Sequence, residues 1–275
     1  MERCGDRWNG SARMDMSRLA IVAAMEREVA PLVRGWKVRE IEHGGRRYRI
    51  FENRAGENGD AVLICGGIGA EAARRATEAV IQETRPGRVL SVGFAGALDS
   101  TMKVADVLEP RVVVNAADGA RTETGSGQGT LVSYASVSDR DQKQRLARAY
   151  GAIAVDMEAG AVAQGAQARG IEFAALKVIS DAADFRMPPV ERFVSSEGQF
   201  RSAQFAMHVA VRPWLWGRTI ALARNSTRAS RALCTAIENY LKRGSVNRTN
   251  CDPLMNPPKQ SLGGAPSVSS RRILS

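Results

Sequence analysis

Two acidic clusters stand where apolar stretches end. Residues 152–155 run into Asp156-Met157-Glu158 as an alanine-rich helical pattern begins, and residues 173–179 run into Ser180-Asp181. A third acid, Glu28, follows the apolar stretch 18–24 within Met25-Glu26-Arg27-Glu28-Val29. In open α/β sheets, ligands sit in the crevice beyond the carboxyl ends of the strands, so acids placed there face a substrate. Cleavage of an N-glycosidic bond suits such a set: the leaving purine needs a proton, the sugar becomes cation-like, and an incoming water needs a base. A carboxyl kept protonated by burial or by neighbouring acids serves the first need, and an ionised one serves the last.

Each acid has an ordinary explanation taken alone. Glu28 in a first helical turn complements the helix dipole, Asp156 can cap the next helix, and Ser180 or Asp181 can end a strand. The combination is less ordinary, because Glu28, Glu158 and Asp181 share one inferred sheet edge with the small backbones of residues 66–69 and 93–96. Other chemistries find little support. The segment 66–69 lacks GxGxxG spacing, and neither GxxxxGK[ST] nor a GxSxG elbow occurs, so its glycines read first as tight-turn packing. His43 and His208 read as structural or surface residues. Cys4, Cys65, Cys234 and Cys251 show no CxxC spacing, so no disulfide framework, metal or organic cofactor is expected.

Strands and helices alternate around these residues. A buried strand over 18–24 leads into a helix, and a strand over 61–65 leads through the glycines into a helix over 70–84. A strand over 88–92 continues into a glycine-rich turn at 93–97. Strand-like segments at 107–114 and 130–137, a helix over 139–150, and strand, helix and strand over 152–155, 157–169 and 173–180 complete the core. Met187-Pro188-Pro189 breaks regular structure, and helices over 191–211 and 214–243 follow, separated by Pro213. The fold class is α/β, a three-layer α/β/α sandwich around a central mixed, largely parallel sheet. One domain over 17–243 is expected, with residues 1–16 and the basic tail 244–275 disordered.

The chain of 275 residues is 44% apolar, enough for one well-buried core. No apolar run reaches a membrane span, and the first residues lack a signal-peptide core, so a cytoplasmic protein is expected. The net charge of +10 is C-terminal in origin: residues 1–200 balance, while residues 201–275 set only Glu238 and Asp252 against many arginines. Such a skew attracts nucleic acid, anionic lipid or an acidic partner. With the core balanced, no nucleic acid is expected as a partner. Within the skewed part, Arg212-Pro213-Trp214-Leu215-Trp216-Gly217-Arg218 joins aromatic side chains to positive charge. The favoured expectation is that Trp214 and Trp216 pack the last helix on the core; the alternative is peripheral contact with an anionic membrane surface.

Four ordered motifs resemble the purine nucleoside phosphorylase and 5'-methylthioadenosine/S-adenosylhomocysteine nucleosidase superfamily. They are Ala23-Ala24-Met25-Glu26-Arg27-Glu28-Val29, Val92-Gly93-Phe94-Ala95-Gly96-Ala97-Leu98 with Val104-Ala105-Asp106-Val107, Val155-Asp156-Met157-Glu158-Ala159, and Val178-Ile179-Ser180-Asp181-Ala182-Ala183-Asp184. The resemblance implies a nucleoside phosphorylase-like sandwich, a homodimer, a role in methionine salvage, and hydrolysis of a methylthioadenosine- or S-adenosylhomocysteine-like adenine nucleoside. It implies that Asp181 protonates purine N7 with help from Ser180, and that Glu28 positions or deprotonates the attacking water. Met157 and Glu158 would hold the ribose, Ala95-Gly96 would border the ribosyl or nucleophile site, and Ser136-Val137 would lie beside the base.

The chain also departs from the pattern. Phe94 stands where hydrolytic members have a small hydroxyl residue, Ser136 where a base-stacking aromatic is common, and Lys177 where an arginine is usual. The shortened stretch between Asp106 and Glu158 and the Met-Pro-Pro insertion resemble the hopanoid-associated branch, which implies adenosylhopane as the alternative substrate. Phosphorolysis is a further alternative, but no arginine flanks residues 93–96 to clamp phosphate, which favours water. A non-catalytic nucleoside-binding or membrane-associated scaffold is the remaining alternative. The presence of all three acids argues against it, because binding alone requires no poised acid and base.

Overall fold

The computed structural model describes residues 15–53, 60–195 and 197–249, and its elements follow the apolar patterning closely. The first half contains β1 (Asp15–Ala23), α1 (Glu26–Val33), β2 (Lys37–His43), β3 (Arg46–Asn53), β4 (Ala61–Cys65), α2 (Ala70–Thr84) and β5 (Pro86–Ala97). Then come β6 (Val107–Leu108), β7 (Val112–Asn115), β8 (Arg121–Glu123), β9 (Thr130–Ser133), α3 (Arg140–Tyr150), β10 (Ala154–Asp156), α4 (Ala159–Gln167) and β11 (Glu172–Asp181). A short 3-10 turn at Glu191–Phe193 precedes α5 (Ser202–Ala210) and α6 (Pro213–Thr249).

All eleven strands join one sheet, in the order β2-β3-β4-β1-β5-β10-β9-β7-β8, with β11 on the other edge of β5 and β6 beyond it. β1 pairs in parallel with β4 and β5, and β11 with β5, while β7, β9 and β10 form a second parallel set. Antiparallel pairs occur at the margins and where β10 meets β5. The sheet is therefore mixed and largely parallel. The central strands are apolar on both faces because helices cover both faces. On one face, Leu19, Ile21, Leu63, Leu90 and Leu176 meet Val29 of α1 and the α6 stripe Ala229, Leu233, Ile237 and Leu241. On the other, Val22, Val62, Ile64 and Val89 meet Ala76 and Val80 of α2 and Val162 and Ala166 of α4.

β5 places the site. β1 leaves one edge of β5 at Ser91, and β10 joins that edge at Gly96 in the opposite direction. The other edge stays paired with β11 as far as Asp181. The sheet thus opens at the carboxyl ends of β1, β5 and β11, a topological switch of the kind at which ligands bind.

Several sequence expectations need correction. Residues 93–97 are strand rather than turn, because β10 and β11 supply hydrogen-bonding partners on both sides of the glycines. β2 and β3 form a hairpin around Gly44-Gly45 that is absent from the expected strands, although its alternating pattern and two-glycine turn are hairpin signals. The first helix expected beyond Pro189 spans only Ser202–Ala210, since the preceding chain forms the 3-10 turn and a bridge between Val194 and Phe200. The last helix continues to Thr249, beyond the expected boundary at 243. Of the termini expected to be disordered, residues 1–14 and 250–275 lie outside the described residues. Trp214 and Trp216 do not pack on the core: they are 71% and 50% exposed, while Leu215 between them is buried.

Candidate active site

The first turn of α1 separates two glutamates by direction. Glu26 points outward to Arg49 at 2.9 Å, whereas Glu28 turns inward and is 2% exposed. One carboxylate oxygen of Glu28, Oε2, is buried without a hydrogen-bond partner among the described residues. Burial, reinforced by the charge of Glu158, raises the Glu28 carboxyl from 4.5 to about 8. Glu158, in the turn between β10 and α4, accepts the Gly69 N–H on Oε1 at 2.8 Å and the Met157 N–H on Oε2 at 3.2 Å. The glycine-rich segment ahead of α2 therefore holds a carboxylate in place. Burial, followed by the neighbouring Asp156, lifts the Glu158 carboxyl to about 7 against the opposing pull of Lys177.

Lys177, near the end of β11, lies behind the lining residue Asp156. It is fully buried, with Nζ 3.0 Å from Ser91 Oγ and 2.9 Å from Asp156 Oδ2. Asp156 also accepts the Ser133 hydroxyl and the Ala159 N–H, the latter at 2.9 Å. Every oxygen of Asp156 is thus engaged in holding β9, β10, β11 and the start of α4 together.

Asp181 ends β11 and lines the same cavity. Its Oδ1 accepts the Ser180 hydroxyl at 2.7 Å, and its Oδ2 is ion-paired with Lys143 Nζ. Lys143 also donates to the Ala182 carbonyl at 2.8 Å. A side chain at position 96 would collide with this pair: a Cβ there would lie 3.0 Å from Asp181 Oδ2 and 3.2 Å from Lys143 Cε. A Cβ on Gly93 would lie 3.2 Å from Glu28 Oε2, and φ there is +142°. The small residues of β5 let both acids approach the strand.

The eight residues singled out from sequence, Glu28, Ala95, Gly96, Val137, Met157, Glu158, Ser180 and Asp181, all line one cavity of about 160 Å³. Ser136, Phe94 and Met187 share its wall. Through Ile68, Phe94, Val137, Ser180 and Met187 this cavity adjoins a chamber of about 470 Å³. The chamber wall is mainly apolar, with Val190, Val194, Phe200, Phe205 and Leu222, and among the described residues Arg27 is its one charged residue. The guanidinium of Arg27 stacks over the Phe200 ring at 5.0 Å.

Lys143 was missed from sequence. It lies 38 residues from Asp181, on a helix whose other basic residues are arginines. Its signal was a lysine sharing the buried face of an amphipathic helix with Leu146. Asp156 accepts a helix N–H, as its position ahead of α4 predicts, but its pairing with Lys177 bridges β10 and β11 and depends on the sheet order.

Comparison with known proteins agrees with this architecture. A sequence model described as the phosphorylase superfamily matches residues 18–140 and 128–210. The 5'-methylthioadenosine/S-adenosylhomocysteine nucleosidase of Actinobacillus succinogenes is 28% identical over 204 residues, covering 61% of this chain and 86% of that protein. Among solved structures, the nucleosidase of the same name from Neisseria meningitidis, in complex with methylthio-immucillin-A, superposes with a TM-score of 0.62 at 21% identity, covering 82% of this chain and 99% of that one. Futalosine hydrolase of Helicobacter pylori gives a TM-score of 0.60 at 19% identity, covering 85% and 98%. With a family match spanning most of the described core and a single sheet carrying its acids at the strand ends, the chain belongs to the phosphorylase superfamily.

Proposed function

We propose that the chain hydrolyses the N-glycosidic bond of an adenine nucleoside, releasing adenine and a ribosyl product. The observation that carries this reading is the division of the cavity. Two buried glutamates with raised carboxyl values, Glu28 and Glu158, lie toward α1 and α4, and an aspartate with a lysine behind it ends β11. Asp181 faces the base. As the C1'–N9 bond breaks and its electron pair enters the purine, Asp181 gives a proton to N7, Lys143 holds the carboxylate that is left, and solvent returns the proton after adenine departs. Glu28 accepts the proton of the water whose oxygen bonds to C1'. Met157 and Glu158 hold the ribose, and the Glu158 charge offsets the developing cation.

Water is the favoured nucleophile. Among the described residues, Lys143 is the only cation lining the cavity and is engaged by Asp181 and Ala182, and Lys177 is engaged by Asp156 and Ser91. Phosphate would instead face Glu28 and Glu158. The relatives named as methylthioadenosine/S-adenosylhomocysteine nucleosidases support an adenine nucleoside as substrate. The chamber supports a second reading for the 5' substituent. Its wall of phenylalanine, valine and leucine suits an apolar group, so methylthioadenosine is preferred over adenosylhomocysteine, and an adenosylhopane-like lipid becomes a direct competitor.

Adenine release from methylthioadenosine, adenosylhomocysteine and adenosylhopane, each with and without phosphate, tests both levels. Release from none of the three would overturn the enzyme reading. A strict requirement for phosphate would overturn hydrolysis, and preference for adenosylhomocysteine would overturn the role of the chamber.

A further inference from the structure

The corner where α5 passes into α6 carries an unusual surface. Met207, Val211, Trp214, Trp216 and Ile220 are all at least half exposed, and among the described residues no other large apolar side chain reaches that exposure. Arg201, Arg218, Arg224 and Arg228 are exposed on the same stretch, and none of the four forms an ion pair among the described residues. No aspartate or glutamate occurs between Glu197 and Glu238. The inner sides of these two helices wall the apolar chamber, through Phe205, Thr219, Leu222 and Ala223. One pair of helices therefore faces the chamber on one side and presents tryptophan, methionine and arginine on the other.

Three occupants could cover such a face, and charge separates them. A two-fold dimer would set the patch against itself, bringing the arginines of both copies together with no acid on these helices to neutralise them. Nucleic acid would neutralise the arginines but leave Met207, Val211 and Ile220 unused, since phosphate contacts carry that affinity. An anionic bilayer satisfies both halves: tryptophan favours the interfacial zone, small apolar side chains enter the acyl boundary, and arginine meets the headgroups. No helix among the described residues is long and apolar enough to cross a membrane, so the contact is peripheral.

We propose that the α5–α6 corner docks on an anionic lipid surface, placing the chamber beside the bilayer so that an apolar 5' substituent enters from the lipid. The delivery half of this proposal rests on the nucleosidase reading; the docking half does not.

Flotation of the full-length protein with vesicles tests it. The protein is expected to float with vesicles of equal parts phosphatidylglycerol and phosphatidylcholine, to remain below with pure phosphatidylcholine, and to release as salt rises. The paired change Met207→Ser with Trp214→Ser, and separately Arg218→Glu, should each lower the bound fraction about tenfold or more. None of these residues lines the cavity or chamber, so methylthioadenosine cleavage in solution should be unchanged in the variants. Absence of flotation overturns the proposal, as does parent-like flotation by both variants. Salt-sensitive binding to DNA that competes with the vesicles, or protection of Trp214 from a soluble quencher in a lipid-free dimer, would replace the bilayer by that partner. A protein that floats but cleaves no adenine nucleoside retains the docking and loses the nucleosidase reading. One that cleaves without floating shows the reverse.

Discussion

The Nζ of Lys143 on α3 rests on the carboxylate of Asp181 at the end of β11, and the two side chains are only 3% and 4% exposed. A buried pair of this kind contributes little net stability over an apolar pair, because desolvation offsets the attraction, but removing one partner strands a charge in the interior. Stability alone gives no reason for Lys143. In the proposed reaction, the carboxylate left on Asp181 after its proton passes to the base does.

Lys143→Met should therefore act in two separable ways. It should lower folding stability by about 3–5 kcal/mol, and the double variant Lys143→Met with Asp181→Asn should recover much of that loss. Turnover should not recover in the double variant. In Lys143→Met alone, Asp181 loses the cation that holds its carboxylate, so the pH–rate profile should change shape, whereas Lys143→Arg should keep the pair and a profile parallel to that of the parent. Urea denaturation and pH–rate profiles read the two effects independently. A profile for Lys143→Met parallel to that of the parent would limit Lys143 to a structural role.

Asp181→Asn should reduce turnover by about 10²–10⁴, the usual worth of a positioned acid, while circular dichroism still reports the native fold. Wild-type-like activity in this variant would end the assignment of Asp181 as the acid.

Glu28 gives opposite signs for activity and stability. Its carboxyl is raised to about 8, so between the ordinary value of 4.5 and about 8 the folded chain retains a proton that the unfolded chain has released. Folding stability attributable to Glu28 therefore falls as pH rises through that window and levels off above it. Glu28→Gln should have a Tm advantage over the parent that grows from about pH 5 to about pH 8, worth roughly a few kcal/mol at most. The same change should lower turnover by about 10²–10⁴ through loss of the base. In the parent, kcat/KM should climb with pH toward about 8 as Glu28 ionises. Calorimetry showing no stabilisation of Glu28→Gln at high pH would contradict the buried, neutral carboxyl.

Gly96→Ala should force Asp181 and Lys143 to shift, since the new Cβ would lie 3.0 Å from Asp181 Oδ2. A cost of about 1–3 kcal/mol is expected from overpacking, with a larger fall in kcat than in substrate affinity. Unchanged kcat would mean that the pair can move without consequence for the reaction.

Leu222→Asn puts an amide into the chamber wall. KM for a nucleoside with a long apolar 5' substituent should rise about tenfold, while kcat/KM for unsubstituted adenosine should stay within about twofold. Equal effects on both substrates would show that the chamber does not hold the substituent.

Much of the framework was legible along the chain because apolar runs and helix signals are local. Residues 61–65 and 70–84 match β4 and α2, and Asp139 caps α3 by accepting the Gln142 N–H at 2.8 Å. Glu28, Glu158 and Asp181 were recognisable because strand ends point at a crevice whatever the details of the sheet. Three-dimensional proximity decided the rest. Residues 93–97 read as a turn from their glycines and became strand only because β10 and β11 lie on both sides. Lys143 looks like any lysine on an amphipathic helix until folding carries it across 38 residues to Asp181. Trp214 and Trp216 have the composition of core residues, yet α6 turns Leu215 inward and leaves both of them outside. Sequence by itself determined which segments become strands and helices and which acids end them, since those follow from patterns a few residues long. Only the tertiary structure decided which charges neutralise one another and which apolar side chains lack a partner, because both depend on distances between segments far apart in the chain.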